Sequence, residues 1–154
     1  MRSGRHFAVF TTTGTTWSIG VVRPVQIDRS DFGDGGLDYF NPGMDIFWDH
    51  LIGKRTDRWG DSNVHCCFVN DIGGFSWYDW TRRHPFSRVD GFQRGVPIGL
   101  LLDLDEGTLS IYQRGQRLAT LKYGLSGEYC WYASVFYDTT ILIERGSATG
   151  ERGG

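Results

Sequence analysis

The chain has 154 residues, with 16 Lys and Arg against 18 Asp and Glu and a formal net charge of −2. That length suits one domain, able to bury roughly two-thirds of its unfolded surface, and the mildly acidic balance excludes the basic footprint of a nucleic-acid binder. Aromatic residues at 15%, with 22 Gly and only 4 Pro, exclude a disordered chain and suit an all-β domain rich in turns. The small basic clusters, Arg82-Arg83-His84 and Lys54-Arg55 with Arg58, read as solvated surface. No apolar run approaches the ~20 residues that span a bilayer, so no membrane partner is expected, and no apolar leader core opens the chain. Cys66, Cys67 and Cys130 are an odd, low count for a disulfide framework. They fit a reducing, intracellular compartment, the cytoplasm.

In chain order, residues 4–10 read as a strand, 11–16 as a polar turn around Gly14, and 17–24 as a second strand. Pro24 ends it, having no donor for a ladder. The two strands are expected to form a hairpin. Residues 28–60 are the least regular part. Asp31-Phe32-Gly33-Asp34-Gly35-Gly36 is loop by composition, and Asn41-Pro42 followed by residues 44–51 and Gly53 carries the cap, early Pro and terminal Gly of a short helix. An extended aromatic loop lying on a sheet fits that stretch equally well. Residues 64–69 read as a strand, 70–74 as a turn, 75–80 as an aromatic strand and 82–96 as polar loop.

The run from Val96 to Tyr112 is the clearest element. Ile98, Leu100, Leu102 and Leu104 take one face and Gly99, Leu101, Asp103 and Asp105 the other; after the turn, Leu109 and Ile111 alternate with Thr108, Ser110 and Tyr112. This period of two is a sheet signal, and Glu106-Gly107 supplies a turn residue that tolerates positive φ. A further hairpin turns through Arg114-Gly115 into residues 117–121. Residues 124–128 are turn, 129–137 and 139–144 are two closing strands around Asp138, and 146–154 are expected to be a disordered tail behind a single domain over 1–145. Many short strands without a long helix indicate an antiparallel two-sheet sandwich or barrel.

Candidate chemistry is sparse. Asp103, Asp105 and Glu106 cluster as paired glycosidase carboxylates do, but their place at a hairpin end reads as turn chemistry. His65-Cys66-Cys67 lacks zinc spacing, because adjacent strand residues diverge, so no metal or other cofactor is expected. No Gly-x-Ser-x-Gly elbow or phosphate loop is present. Trp17, Phe75, Trp77 and Trp131 alternate with small or polar neighbours as core residues do.

Four segments together resemble a SPRY domain, a concanavalin-like β-sandwich interaction module. Gly4-Arg5-His6-Phe7 resembles the family's Gly-x-His-aromatic start, and Trp17-Ser18-Ile19-Gly20-Val21 its Trp-x-x-Gly-Val strand. The run 98–112, followed by Gly115-Gln116-Arg117-Leu118, is the strongest match. Leu125-Ser126-Gly127 with Tyr129-Cys130-Trp131-Tyr132-Ala133 resembles the closing turn and core strand. Ser76-Trp77 stands where Ser-Trp-Gly is common, and the match opens almost at residue 1, which implies a chain short of the family's first strand, or a fragment.

The resemblance implies an antiparallel jelly-roll-like sandwich without catalysis, binding a protein or peptide partner through loops. In some members a hydrophobic-aromatic-Gly segment lines a peptide pocket; Val135-Phe136-Tyr137 occupies that place, with Tyr137 in place of the Gly. The residues themselves add Tyr39, Phe40 and Trp48 in the long loop and Arg23 at a strand end, each of which also has a packing reading. Two other readings stand beside this one. A carbohydrate-binding or glycan-processing sandwich requires a surface aromatic beside carboxylates, such as Asp103 near Trp131. A structural domain of a larger scaffold requires no exposed aromatic cluster. Oligomeric state and partner identity are not legible.

Overall fold

A computed structural model describes residues 1–26, 28, 45–79 and 86–147. The described strands are β1 (Arg5–Thr13), β2 (Trp17–Val22), β3 (Cys66–Asn70), β4 (Gly74–Tyr78), β5 (Ser87–Arg88), β6 (Ile98–Asp103), β7 (Thr108–Gln113), β8 (Gln116–Lys122), β9 (Cys130–Val135) and β10 (Thr140–Arg145). Among the described residues the α-helix α1 (Asp45–Gly53) and a 3-10 turn (Asp57–Trp59) precede β3. The strands form two antiparallel five-stranded sheets, ordered β10-β1-β6-β7-β8 and β5-β4-β3-β2-β9. The architecture is a β-sandwich.

The period-two pattern sets which face each residue takes. On β6, Ile98, Leu100 and Leu102 enter the core with Leu109 and Ile111 of β7, Ala8 and Phe10 of β1, and Ile19 and Val21 of β2. Each such aliphatic side chain contributes roughly 1.5–3 kcal/mol on full burial, so this layer dominates stability. The outer face of the first sheet is also packed. Phe7 and Tyr112 meet edge to face at 5.6 Å, and Leu101 there is only 3% exposed. Gly99 makes the room: a Cβ at that position would lie 2.4 Å from the Phe7 ring.

The hairpin expected between the first two strands does not form. β1 pairs with β10 and β6, whereas β2 pairs with β3 and β9, so residues 14–16 cross from one sheet to the other. Residues 136–139 make the matching crossing from β9 to β10. The hairpins β6–β7 and β7–β8 form as expected. Of the two readings of residues 44–53, the helix is the one realised: Phe47 and Leu51, four residues apart on one face, are each 1% exposed. The polar stretch 82–96 contributes the two-residue β5 on the edge of β4. Of the expected tail, Gly146 donates to the Phe7 carbonyl at 3.1 Å, and residues 148–154 lie outside the described residues. Among the described residues no helix is long and apolar enough to cross a membrane.

Candidate functional site

The two sheet crossings lie side by side at one end of the sandwich. Phe136 N donates to Thr16 O at 3.1 Å, Thr139 N to Phe136 O at 3.3 Å, and Thr16 N to Thr139 Oγ1 at 3.4 Å. Thr13 and Thr140 join the strand ends through their hydroxyls. Gly14, at φ +94°, lets the first crossing press on the second; a Cβ there would sit 2.5 Å from Thr139 Oγ1. The buried Thr139 therefore fixes the turn from inside, and the turn throws Tyr137 outward.

Tyr137 is 94% exposed and adopts φ +53°. A left-handed backbone costs an L-residue roughly 1–2 kcal/mol, so this ring is held in solvent against a backbone preference. Val135, at the end of β9, is 42% exposed. Phe136 between them is half-buried. At the same end, the β3–β4 turn presents Ile72, 46% exposed, on a backbone held by Asn70 Oδ1, which accepts from Ile72 N and Gly74 N. The loop before β6 is pinned there too. Gln113 accepts from Gln93 N at 2.8 Å and donates to Gln93 O and Val96 O. Arg94 reaches Asp71 at 3.8 Å. This end of the sandwich thus carries exposed apolar and aromatic side chains and a charged pair on hydrogen-bonded loops.

Arg23 and Trp48 lie at the opposite end. Val22, next to Arg23, pairs with Cys66 and Cys130, whereas Trp17 at the other end of β2 pairs with Val135; five residues of strand separate them by about 17 Å. Arg23 is 1% exposed. Its Nη2 donates to Ser62 O at 2.8 Å and its Nη1 to Glu128 O at 3.0 Å. The guanidinium stacks over Tyr129 at 3.9 Å and approaches Trp59 at 5.6 Å. Burial lowers its pKa, partly opposed by Tyr129. Burial also pushes the Tyr129 phenol up to about 12, and that hydroxyl donates to Val64 O at 2.7 Å. Arg23 therefore ties three loops together from within the fold. Trp48 is half-buried, and its Nε1 donates to Asp79 O at 3.2 Å, tying α1 to the end of β4. Tyr39 and Phe40 lie outside the described residues. The sequence-derived set is thus divided: Val135, Phe136 and Tyr137 share one surface that Arg23 and Trp48 do not join.

Sequence reasoning missed Ile72 and Arg94. An apolar residue in the middle of Asn70-Asp71-Ile72-Gly73-Gly74 is the signal that would have found Ile72, since a turn gives it nothing to bury against. Nothing in the sequence marks Arg94.

The remaining chemistry is closed off. Asp103 Oδ1 accepts from Asp105 N and Glu106 N, and its other oxygen lies 3.2 Å from Arg5 Nε. Asp103 faces outward from the first sheet and Trp131 inward from the second, so the pair required by a glycan site is apart. Burial pushes the Cys67 thiol up to about 12, drives Cys66 well above its usual range and raises Cys130. None is a ready nucleophile.

No family model matches the chain, and no curated protein matches its sequence. Solved structures do resemble it. The crystal structure of the TRIM65 PSpry domain superposes with a TM-score of 0.53 at 16% identity, over 93% of this chain and 64% of that one. The SPRY domain of human HERC1 gives 0.51 at 14% identity, over 94% of this chain and 76% of that one. The chain has the SPRY fold. It spans just under two-thirds of the TRIM65 structure's length. At these identities the likeness is one of backbone, and the SPRY fold supplies the frame.

Proposed function

We propose that this chain is a protein-binding module that acts without catalysis and captures a peptide or folded partner on the end of the sandwich where the sheets cross. Tyr137 carries the reading. A 94% exposed aromatic held at positive φ, at the same end as the exposed Val135 and Ile72, is costly to maintain and has no packing role. Two χ angles give a Tyr ring large contact area at small entropic cost, which is why interfaces favour it. The SPRY fold supports the same reading: a rigid two-sheet core presents loops whose side chains vary without disturbing it. Arg23 and Trp48 serve by fixing loops at the far end.

Affinity capture with mass spectrometry tests this. Wild type is compared with Tyr137→Ala and Trp48→Ala. Partners shared by wild type and Trp48→Ala and missing from Tyr137→Ala support the end surface; partners kept by Tyr137→Ala and lost from Trp48→Ala place binding at the other end.

A further inference from the structure

The two sheets are not closed along one side. Among the described residues β9 pairs only with β2 and β10 only with β1, so each ends its sheet and the two edges face the same flank. Exposure on β9 is inverted relative to an ordinary sandwich. Trp131, Ala133 and Val135 share the face of Val21, Ile19 and Trp17 and so point between the sheets. Ala133 and Val135 are nevertheless exposed, while the outward-pointing Tyr132 and Ser134 are buried. On β10, Ile141, Ile143 and Arg145 share the inward face of Phe10 and Ala8, yet Ile143 is 45% exposed. Trp131, edge to face with Phe10 at 5.9 Å, forms the floor of a cavity of about 600 Å³ that Ile143 and Arg145 also line.

An apolar seam therefore runs down this flank, from Val135 and Ile141 past Ala133 and Ile143 to Trp131 and Arg145. We propose that it is a docking site for an extended segment of a partner protein, which adds as a strand to the β10 edge. This surface is distinct from the end surface of the proposed function, although Val135 lies where the two meet.

The chemistry of the occupant follows from the register. An unpaired strand edge offers backbone N–H and C=O groups, which a strand satisfies and a helix does not. Side chains of an added antiparallel strand alternate, so those opposite Ile141 and Ile143 enter the seam and must be apolar. The residue opposite Arg145 shares that face. Arg145 has no ion-pair partner among the described residues, so an acidic residue is selected there. Read from its N-terminus, the segment runs acidic, polar, apolar, polar, apolar.

The probe is a fluorescein-labelled synthetic peptide, Thr-Glu-Thr-Val-Thr-Val-Thr, and a counterpart with Lys in place of Glu. Both are titrated by anisotropy into wild type, Ile143→Asp, Arg145→Glu and Tyr137→Ala. Both seam substitutions fall on exposed side chains, and circular dichroism checks that each variant is folded. Saturable binding of the Glu peptide is expected. Ile143→Asp weakens it by about tenfold or more. Arg145→Glu weakens the Glu peptide and strengthens the Lys peptide. Tyr137→Ala leaves it unchanged. Hydrogen exchange on the complex shows new protection at the amides of residues 140–145. Absence of saturable binding to wild type, or binding indifferent to both seam substitutions, overturns the proposal. Loss of the peptide from Tyr137→Ala overturns it too, by placing the peptide on the end surface, and leaves the proposed function standing. A wild-type dimer in sedimentation that Ile143→Asp dissociates assigns the seam to a second copy of the chain and also overturns it.

Discussion

The buried His65 makes the domain acid-sensitive in a calculable way. Its ring is fully out of solvent, stacked near Tyr78 at 6.3 Å. Burial pushes its pKa down from 6.5 to about 4, against the backbone and charge of Asp79, which favour the charged form, and with the charge of Arg23, which opposes it. Between those two values the unfolded chain takes up a proton that the folded chain refuses. Stability therefore falls as pH drops through 6.5 and levels off below about 4. At 1.36 kcal/mol for each pKa unit, the full loss is about 3 kcal/mol, of which about three-quarters is gone by pH 4.5. That is a large share of a typical domain's stability. Urea denaturation of wild type and His65→Gln, at a series of pH values from 7 to 4, isolates the contribution, because Gln does not titrate and other groups are common to both. The wild-type curve is expected to fall more steeply than that of His65→Gln across pH 6.5 to 4. Parallel curves through this window would refute the argument that His65 is neutral in the fold.

Tyr137→Gly relieves the left-handed strain at φ +53° but loosens the unfolded chain, a net gain of about 0.5 kcal/mol in the unfolding free energy from urea denaturation, while partner capture is lost. Arg23→Met removes donors to Ser62 O and Glu128 O; the orphaned carbonyls cost about 2 kcal/mol or more in the same denaturation assay, and an unchanged midpoint would deny Arg23 its anchoring role. With Cys66 and Cys67 fully buried and all three thiols raised in pKa, Ellman's reagent at pH 8 is expected to react slowly with the native protein and rapidly at all three positions in urea.

What the sequence revealed was local and periodic. The β6–β7 hairpin was readable because Ile98, Leu100 and Leu102, and then Leu109 and Ile111, recur every second residue on either side of a turn whose Gly107 takes φ +75°. The crossing at residues 14–16 was not, because a polar Gly turn looks the same whether it returns a strand to its own sheet or hands it to the other. The difference is made by Thr139, 125 positions after Gly14, which packs beneath that glycine. Which of the two readings of Arg23 holds was open for a similar reason. A charged residue at a strand end reads as surface, and its carbonyl acceptors and aromatic neighbours lie from 36 to 106 positions away, at Trp59, Ser62, Glu128 and Tyr129. The resemblance singled out Val135 to Tyr137, but only the fold shows the exposure of Tyr137. That Val135 and Ile72 share its end of the sandwich, and that Trp48 does not, depended on strand register, which periodicity alone leaves open.

The central claim is that binding occurs at the crossing end through Tyr137. The most direct measurement is isothermal titration of a captured partner into wild type, Tyr137→Ala, Ile72→Ser and Trp48→Ala. Losses of about tenfold or more are expected for Tyr137→Ala, and smaller ones for Ile72→Ser, with Trp48→Ala unchanged. A Kd indifferent to Tyr137→Ala and Ile72→Ser would contradict the account.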